Sequence, residues 1–166
     1  MNLRKNLLVK ELNLLPHPEG GFYKETYRSN ESVKKDDLPE RFSADRSFST
    51  GIYFLLGSEN CSKFHRIKSD EIWHFYEGSC LTIHEITPDG KYLAHKLGST
   101  IEKDETFQLV IPAGSWFGAT VESNDSYAFV GCTVSPGFDF SDFELAEKSD
   151  LLNSFPEYHE IICRLT

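Results

Sequence analysis

From residue 47 to residue 134 the chain is interrupted by turn signals roughly every ten residues, and that rhythm limits the possible folds more than any other feature. SFSTGIYFLL ends at Gly57-Ser58-Glu59-Asn60, and FHRIKSDEIWHFYEG has a polar break at Lys68-Ser69-Asp70 and closes at Gly78. Cys80–Ile86 runs into Thr87-Pro88-Asp89-Gly90, and Lys91–Lys96 and Phe107–Ile111 follow. Pro112-Ala113-Gly114 precedes Trp116–Val121, and Ser123-Asn124-Asp125 precedes Tyr127–Val134. Short β-branched and aromatic segments with no helical period between them predict an all-β sandwich or barrel. The 13 Phe, 7 Tyr and 2 Trp against a single Met favour the same β-rich interior or a ligand cavity.

The flanks read differently. Leu3, Leu7, Leu8, Leu12 and Leu15 recur at helical spacing and predict an amphipathic helix over 1–15, ended before Pro16. Glu19-Gly20-Gly21 is a turn into a strand where Phe22, Lys24, Thr26 and Arg28 alternate with Tyr23, Glu25 and Tyr27. Residues 30–46 are polar and aperiodic and read as a surface loop. Beyond Pro136-Gly137, Ser154 with Glu157 forms a capping-box signature and Pro156 suits the first turn of a short terminal helix. The expected layout is one domain over 1–166, with a helix at 1–15, a β-barrel at 16–145 and a helical tail at 146–166.

A formal charge of -9 with no Lys/Arg cluster excludes nucleic acid as a partner. No apolar run reaches membrane-spanning length, and MNLRKNLLVKELNLL lacks the apolar core of a signal peptide, so a cytoplasmic location and no membrane partner are expected. Cys61, Cys80, Cys132 and Cys163 form no CxxC and read as reduced thiols.

The chemistry concentrates in Phe64–Gly78. Read as a hairpin, its two strands bring His65 and Glu71 to one interior if the turn sets the register that way. Along the second strand Glu71 shares a face with Trp73, and His74 shares the other with Ile72. His65 and Glu71 are the candidate catalytic residues, with His65 as base and Glu71 or Asp70 orienting it or binding hydroxyls. Tyr23, Tyr27, Trp73, Trp116 and Phe117 are candidates for the wall of an aromatic cavity suited to a planar or sugar-like ligand. Glu25, His74 and Gln108 complete the candidate binding set, whereas Arg28 reads as surface. His17 lies in a loop between prolines, and His84, His95 and His159 have no nearby acid or histidine partner in sequence, so all four read as surface or packing residues.

With strand rhythm, hairpin and Pro-x-Gly turn in place, the chain resembles the cupin superfamily. Its first motif, two closely spaced histidines, a glutamate and a closing glycine, is met at His65, Glu71 and Gly78, with Ile67 in the second histidine slot. Its second motif is met at Pro112 and Gly114, with Thr106, Phe117 and Val121 in the glycine, histidine and asparagine slots. Two of the four usual metal-ligand positions are therefore apolar, and neither a metal nor another cofactor is expected. HPEGGFYKETYRS, STGIYFLL, IPAGSWFGA and CTVSPGFDFSDFEL look like a subfamily of small single-domain cupins, over about His17 to Leu145. The resemblance implies a jelly-roll barrel that forms a homodimer, often through exchanged N-terminal strands. It also implies kinship with metal-free keto-sugar-nucleotide epimerases that use a barrel histidine as base. The expected function is binding of a small polar ligand, a sugar or nucleotide-sugar, with metal-independent epimerase or isomerase chemistry at His65. The alternatives are a non-enzymatic sensor or scaffold, and a metalloenzyme using His65, Glu71 and His74.

Overall fold

The computed structural model describes residues 3–166. In chain order its elements are α1 (Leu3–Glu11), β1 (Leu15–Pro16), β2 (Phe22–Arg28), β3 (Ser32–Val33), β4 (Arg46–Ser47), β5 (Thr50–Gly57), β6 (Cys61–Arg66) and β7 (Asp70–Gly78). Then follow β8 (Leu81–Ile86), β9 (Tyr92–Leu97), β10 (Gln108–Ile111), β11 (Trp116–Val121), β12 (Tyr127–Ser135), β13 (Glu144–Leu145), α2 (Lys148–Ser154) and α3 (His159–Arg164). Two antiparallel sheets form the body, ordered β1-β2-β5-β12-β7-β10 and β13-β6-β11-β8-β9, and β3 and β4 make a separate ribbon. The turn rhythm predicts an all-β sandwich or barrel, and the two packed antiparallel sheets have the jelly-roll architecture that the family resemblance implies.

The main core fills the space between the sheets, with Phe54, Trp73, Leu81, Ile83, Ile111 and Phe117 almost completely buried. The strand pattern explains this: β8 and β12 bury nearly every residue and β5 its first and second-half residues, while β7 alternates, with Glu71 and Trp73 inward and Asp70, Ile72 and His74 less buried. Phe64 and Ile86 belong to a second cluster that packs against Leu151, Ile162 and Leu165 of the C-terminal helices.

Four expectations need correction. Phe64–Gly78 is not a hairpin: β6 and β7 lie in different sheets, so residues 67–69 carry the chain from one sheet to the other. His65 and Glu71 therefore face a shared interior from opposing layers rather than from paired strands. The N-terminal helix stops at Glu11, short of Leu15, and Met1 and Asn2 of its expected span lie outside the described residues. Asn13 sits in the left-handed region (φ 53), with Leu14 N–H on the Val9 carbonyl and Asn13 N–H on the Lys10 carbonyl, the hydrogen-bond pattern of a Schellman cap. The 30–46 loop is anchored, since Phe42 is buried and Arg46 makes a buried two-point ion pair with Asp142 at 2.6 Å. The Ser154–Glu157 capping box does not form: Ser154 ends α2, and the short helical turn at Pro156–Tyr158 has no side-chain cap.

Candidate functional site

Pro16–Gly21 is the local feature that builds the site. Gly20 (φ 118) and Gly21 (φ 70) occupy backbone conformations that side-chain-bearing residues rarely adopt, and a Cβ on Gly20 would lie 2.2 Å from the Cys61 carbonyl oxygen. The turn thus presses against β6, where Lys63 N–H donates to the Glu19 carbonyl at 2.8 Å. This contact directs the Glu19 side chain inward, where it is 5% exposed.

Inside, the Glu19 carboxylate receives the Ser62 hydroxyl at 2.8 Å on one oxygen and His65 Nε2–H at 2.9 Å on the other. His65 Nδ1 lies 2.7 Å from the Lys63 carbonyl oxygen. Both ring nitrogens therefore meet acceptors, so both carry hydrogen and the ring is an imidazolium. Burial opposes that charge, but the charge and hydrogen bond of Glu19 outweigh it and raise the His65 pKa. Burial likewise opposes ionisation of Glu19, yet His65, His17 and Ser62 lower its pKa overall. Phe117 lies beneath the His65 ring at 4.1 Å between centroids, and Phe143 flanks it at 5.3 Å.

These groups open onto a cavity of about 200 Å³ that His17, Glu19, His65 and Glu71 line with polar groups. Its walls are largely apolar, including Ile52, Ile67, Val134, Phe138 and Phe143, and Cys132 and Tyr23 also border it. Glu71 is 7% exposed, and burial pushes its pKa up to about 7, with the Cys132 thiol as its hydrogen-bond partner. Burial raises the thiol's own pKa well above normal, so it remains protonated. Glu25, Arg28 and Asp139 stand at the rim, where Arg28 grips Glu25 at 2.7 and 3.1 Å and donates to the Phe138 carbonyl at 3.0 Å.

Of the candidate residues, His65, Glu71, Tyr23 and Glu25 line the cavity. Tyr27 does not, because the β2–β5 register shifts between Glu25 and Tyr27, leaving Tyr27 56% exposed and passing the rim position to Arg28. Asp70 points to the Pro112-Ala113-Gly114 turn and accepts Ala113 N–H at 2.8 Å. His74 and Gln108 pair with each other on the outer face at 2.9 Å, with His74 Nε2 on Thr133 at 3.0 Å. Trp73 is a core residue between Phe54 and Phe117, and its indole Nε1 has no hydrogen-bond partner among the described residues. Trp116 packs outside beneath the Arg66 guanidinium at 4.4 Å, and Phe117 is fully buried. The sequence reading missed Glu19, His17 and Arg28; the tight HPEGG turn is the one local signal for the first two, and Arg28 depends on the register shift in β2. Two other histidines find their partners on neighbouring strands: His95 of β9 pairs with buried Glu85 of β8 at 2.7 Å, and His84 of β8 joins Tyr92 of β9 and Thr120 of β11 at 2.8 and 2.9 Å.

The donor set does not suit the metal that cupin-like barrels commonly hold. His65 has no lone pair free, Ile67 and Phe117 have none to offer, and His74 faces the other way. Among the described residues no three His, Cys, Asp or Glu side chains are arranged to bind a metal ion.

The profile of a family described as Cupin superfamily (DUF985) matches residues 6–146. Protein SO0799 from Shewanella oneidensis superposes with a TM-score of 0.88 at 36% identity, covering 100% of this chain and 98% of that one. A hypothetical protein from Leishmania major gives a TM-score of 0.88 at 33% identity, with 97% of each chain covered. The uncharacterized yeast protein YML079W (Saccharomyces cerevisiae) is 29% identical over 154 residues, 87% of this chain and 76% of the yeast protein.

Proposed function

The chain belongs to the Cupin_5 family of the cupin superfamily, and from that premise we propose that its barrel binds a small, uncharged, sugar-like molecule and moves a proton on it without a metal. One observation carries this reading. Glu71 is a buried carboxyl that faces a cavity and has no ion-pair partner among the described residues, and its pKa of about 7 suits it to take and return a proton near neutral pH. His65, committed to Glu19 and the Lys63 carbonyl, serves as a fixed positive neighbour rather than as the base.

Size and charge narrow the ligand. The cavity of about 200 Å³ is smaller than the ~300–1,000 Å³ of typical drug-sized pockets, so it suits one sugar-sized molecule and leaves a nucleotide outside. Inside, Glu19 and His65 cancel, and at the rim Glu25 and Asp139 outnumber Arg28, which disfavours a diphosphate. Apolar walls opposite a polar end fit a ring with one hydroxylated edge. Isomerase or epimerase chemistry in a cytosolic homodimer completes the reading; the four free cysteines accord with a reducing compartment.

A melting-shift screen against free sugars, sugar lactones and sugar nucleotides tests it. Free sugars are expected to raise the melting temperature, and Ile52→Trp, which fills the cavity from its wall, is expected to abolish the shift. No shift with any sugar, or a shift that survives in a folded Ile52→Trp variant, overturns the reading.

A further inference from the structure

The sequence gives His17 no role, yet its side chain is 8% exposed and borders the cavity. The ring is held on several sides, edge-on to Tyr23 at 4.7 Å and near Phe54, Phe140 and Phe143. Its Nδ1 accepts the Glu19 backbone N–H at 3.4 Å, which uses that lone pair and places the hydrogen of a neutral ring on Nε2. No protein group among the described residues accepts from Nε2. The Glu19 carboxylate also lies 3.4 Å from Nδ1, but its closer partner is His65 at 2.9 Å. Burial lowers the His17 pKa, Glu19 opposes this, and the His65 cation reinforces it. The cavity therefore holds a neutral imidazole with one free N–H and a carboxyl able to exchange a proton.

We propose that His17 and Glu71 form an enolising pair, Glu71 taking the proton from a carbon beside a carbonyl while His17 Nε2–H donates to the carbonyl oxygen, which makes uncharged α-hydroxy aldehydes and ketones the substrate class. This rests on the ligand reading above and deepens it. The Glu71 carboxylate breaks the C2–H bond of a hydroxy aldehyde, and the released pair forms the C1–C2 double bond as the carbonyl electrons move onto O1. His17 stabilises that oxyanion. It passes its Nε2 proton to O1 and takes one from the C2 hydroxyl, then Glu71 returns its proton to C1 as the C2 oxygen becomes the carbonyl. The product is the hydroxy ketone, and both residues regain their starting states. A neutral imidazole suits this role because it adds no second cation beside His65.

The test is proton NMR of the full-length protein with glyceraldehyde, erythrose and xylose in D2O, which follows C2–H loss and ketose formation. Wild type is expected to exchange C2–H well above a no-protein control, with the rate rising through pH 7 as Glu71 ionises next to His65, Glu19 and Cys132. Glu71→Gln and His17→Phe should each slow exchange by roughly 10²-fold or more, with ligand-induced melting shifts kept. His17→Gln, which retains an amide N–H, should recover part of the loss. Binding by wild type without exchange overturns the pair and leaves the ligand reading intact. Exchange unchanged in folded His17→Phe or Glu71→Gln also overturns the pair, and absence of any binding overturns both readings.

Discussion

At pH 8 Glu71 carries a charge that the folded barrel does little to stabilise. Its folded pKa of about 7 lies above the ordinary 4.5, so the stability it contributes is complete below about 4.5 and is lost as the pH rises through 7. Glu71→Gln should match wild type in denaturant unfolding at pH 5 and exceed it at pH 8.5 by on the order of 1–3 kcal/mol. Glu19 behaves in the opposite way. Removing its charge leaves His65 a buried cation without its counterion, so Glu19→Gln should cost about 3–5 kcal/mol and shift the His65 ring resonances toward those of a neutral imidazole. His65 and Glu71 were legible as candidates because His and Glu stand out in an apolar strand pattern. Their roles were not legible, because Glu19 lies more than forty residues from His65 in the chain and nothing local shows that a glycine turn inserts it.

The elements were legible where period and turn chemistry agreed, as in β5, β8, β11 and β12. They were misread where a single residue changes the geometry. Asn13 ends α1 early because it tolerates the left-handed conformation, and an extra residue at Thr26 turns Tyr27 away while Arg28 takes its place at the cavity rim. Which sheet a strand joins depends on distant partners, so β6 and β7 looked like neighbours although β6 pairs with β11 and β13 and β7 with β10 and β12. The Pro16–Gly21 turn is the most exacting element. Gly20→Ala must find room for a Cβ 2.2 Å from a backbone oxygen at φ 118, and it should cost at least about 2 kcal/mol and weaken ligand-induced melting shifts by displacing Glu19. A stable Gly20→Ala with full shifts would show that the turn is not what aims Glu19.

For the molecule as a whole, acid should loosen the attachment of the C-terminal helices. His84 is buried and neutral between Tyr92 and Thr120, with its pKa lowered to about 4 by burial and by Arg164. Its contribution is complete above the unfolded value near 6.5 and is lost as the pH falls toward 4. His84→Gln should flatten that loss in melting curves recorded between pH 7 and pH 4. The all-β layered form was readable from the turn rhythm and its jelly-roll topology from the family resemblance, while Leu15 and Tyr27 leave apolar surface exposed on β1 and β2, and light scattering at micromolar concentration is expected to show a dimer.

The residues bordering the cavity run from His17 to Phe143 along the chain. A chain still emerging from the ribosome cannot close this cavity until that final aromatic has cleared the exit tunnel and both layers have met. The ligand should therefore slow the unfolding arm of a chevron and leave the refolding arm unmoved.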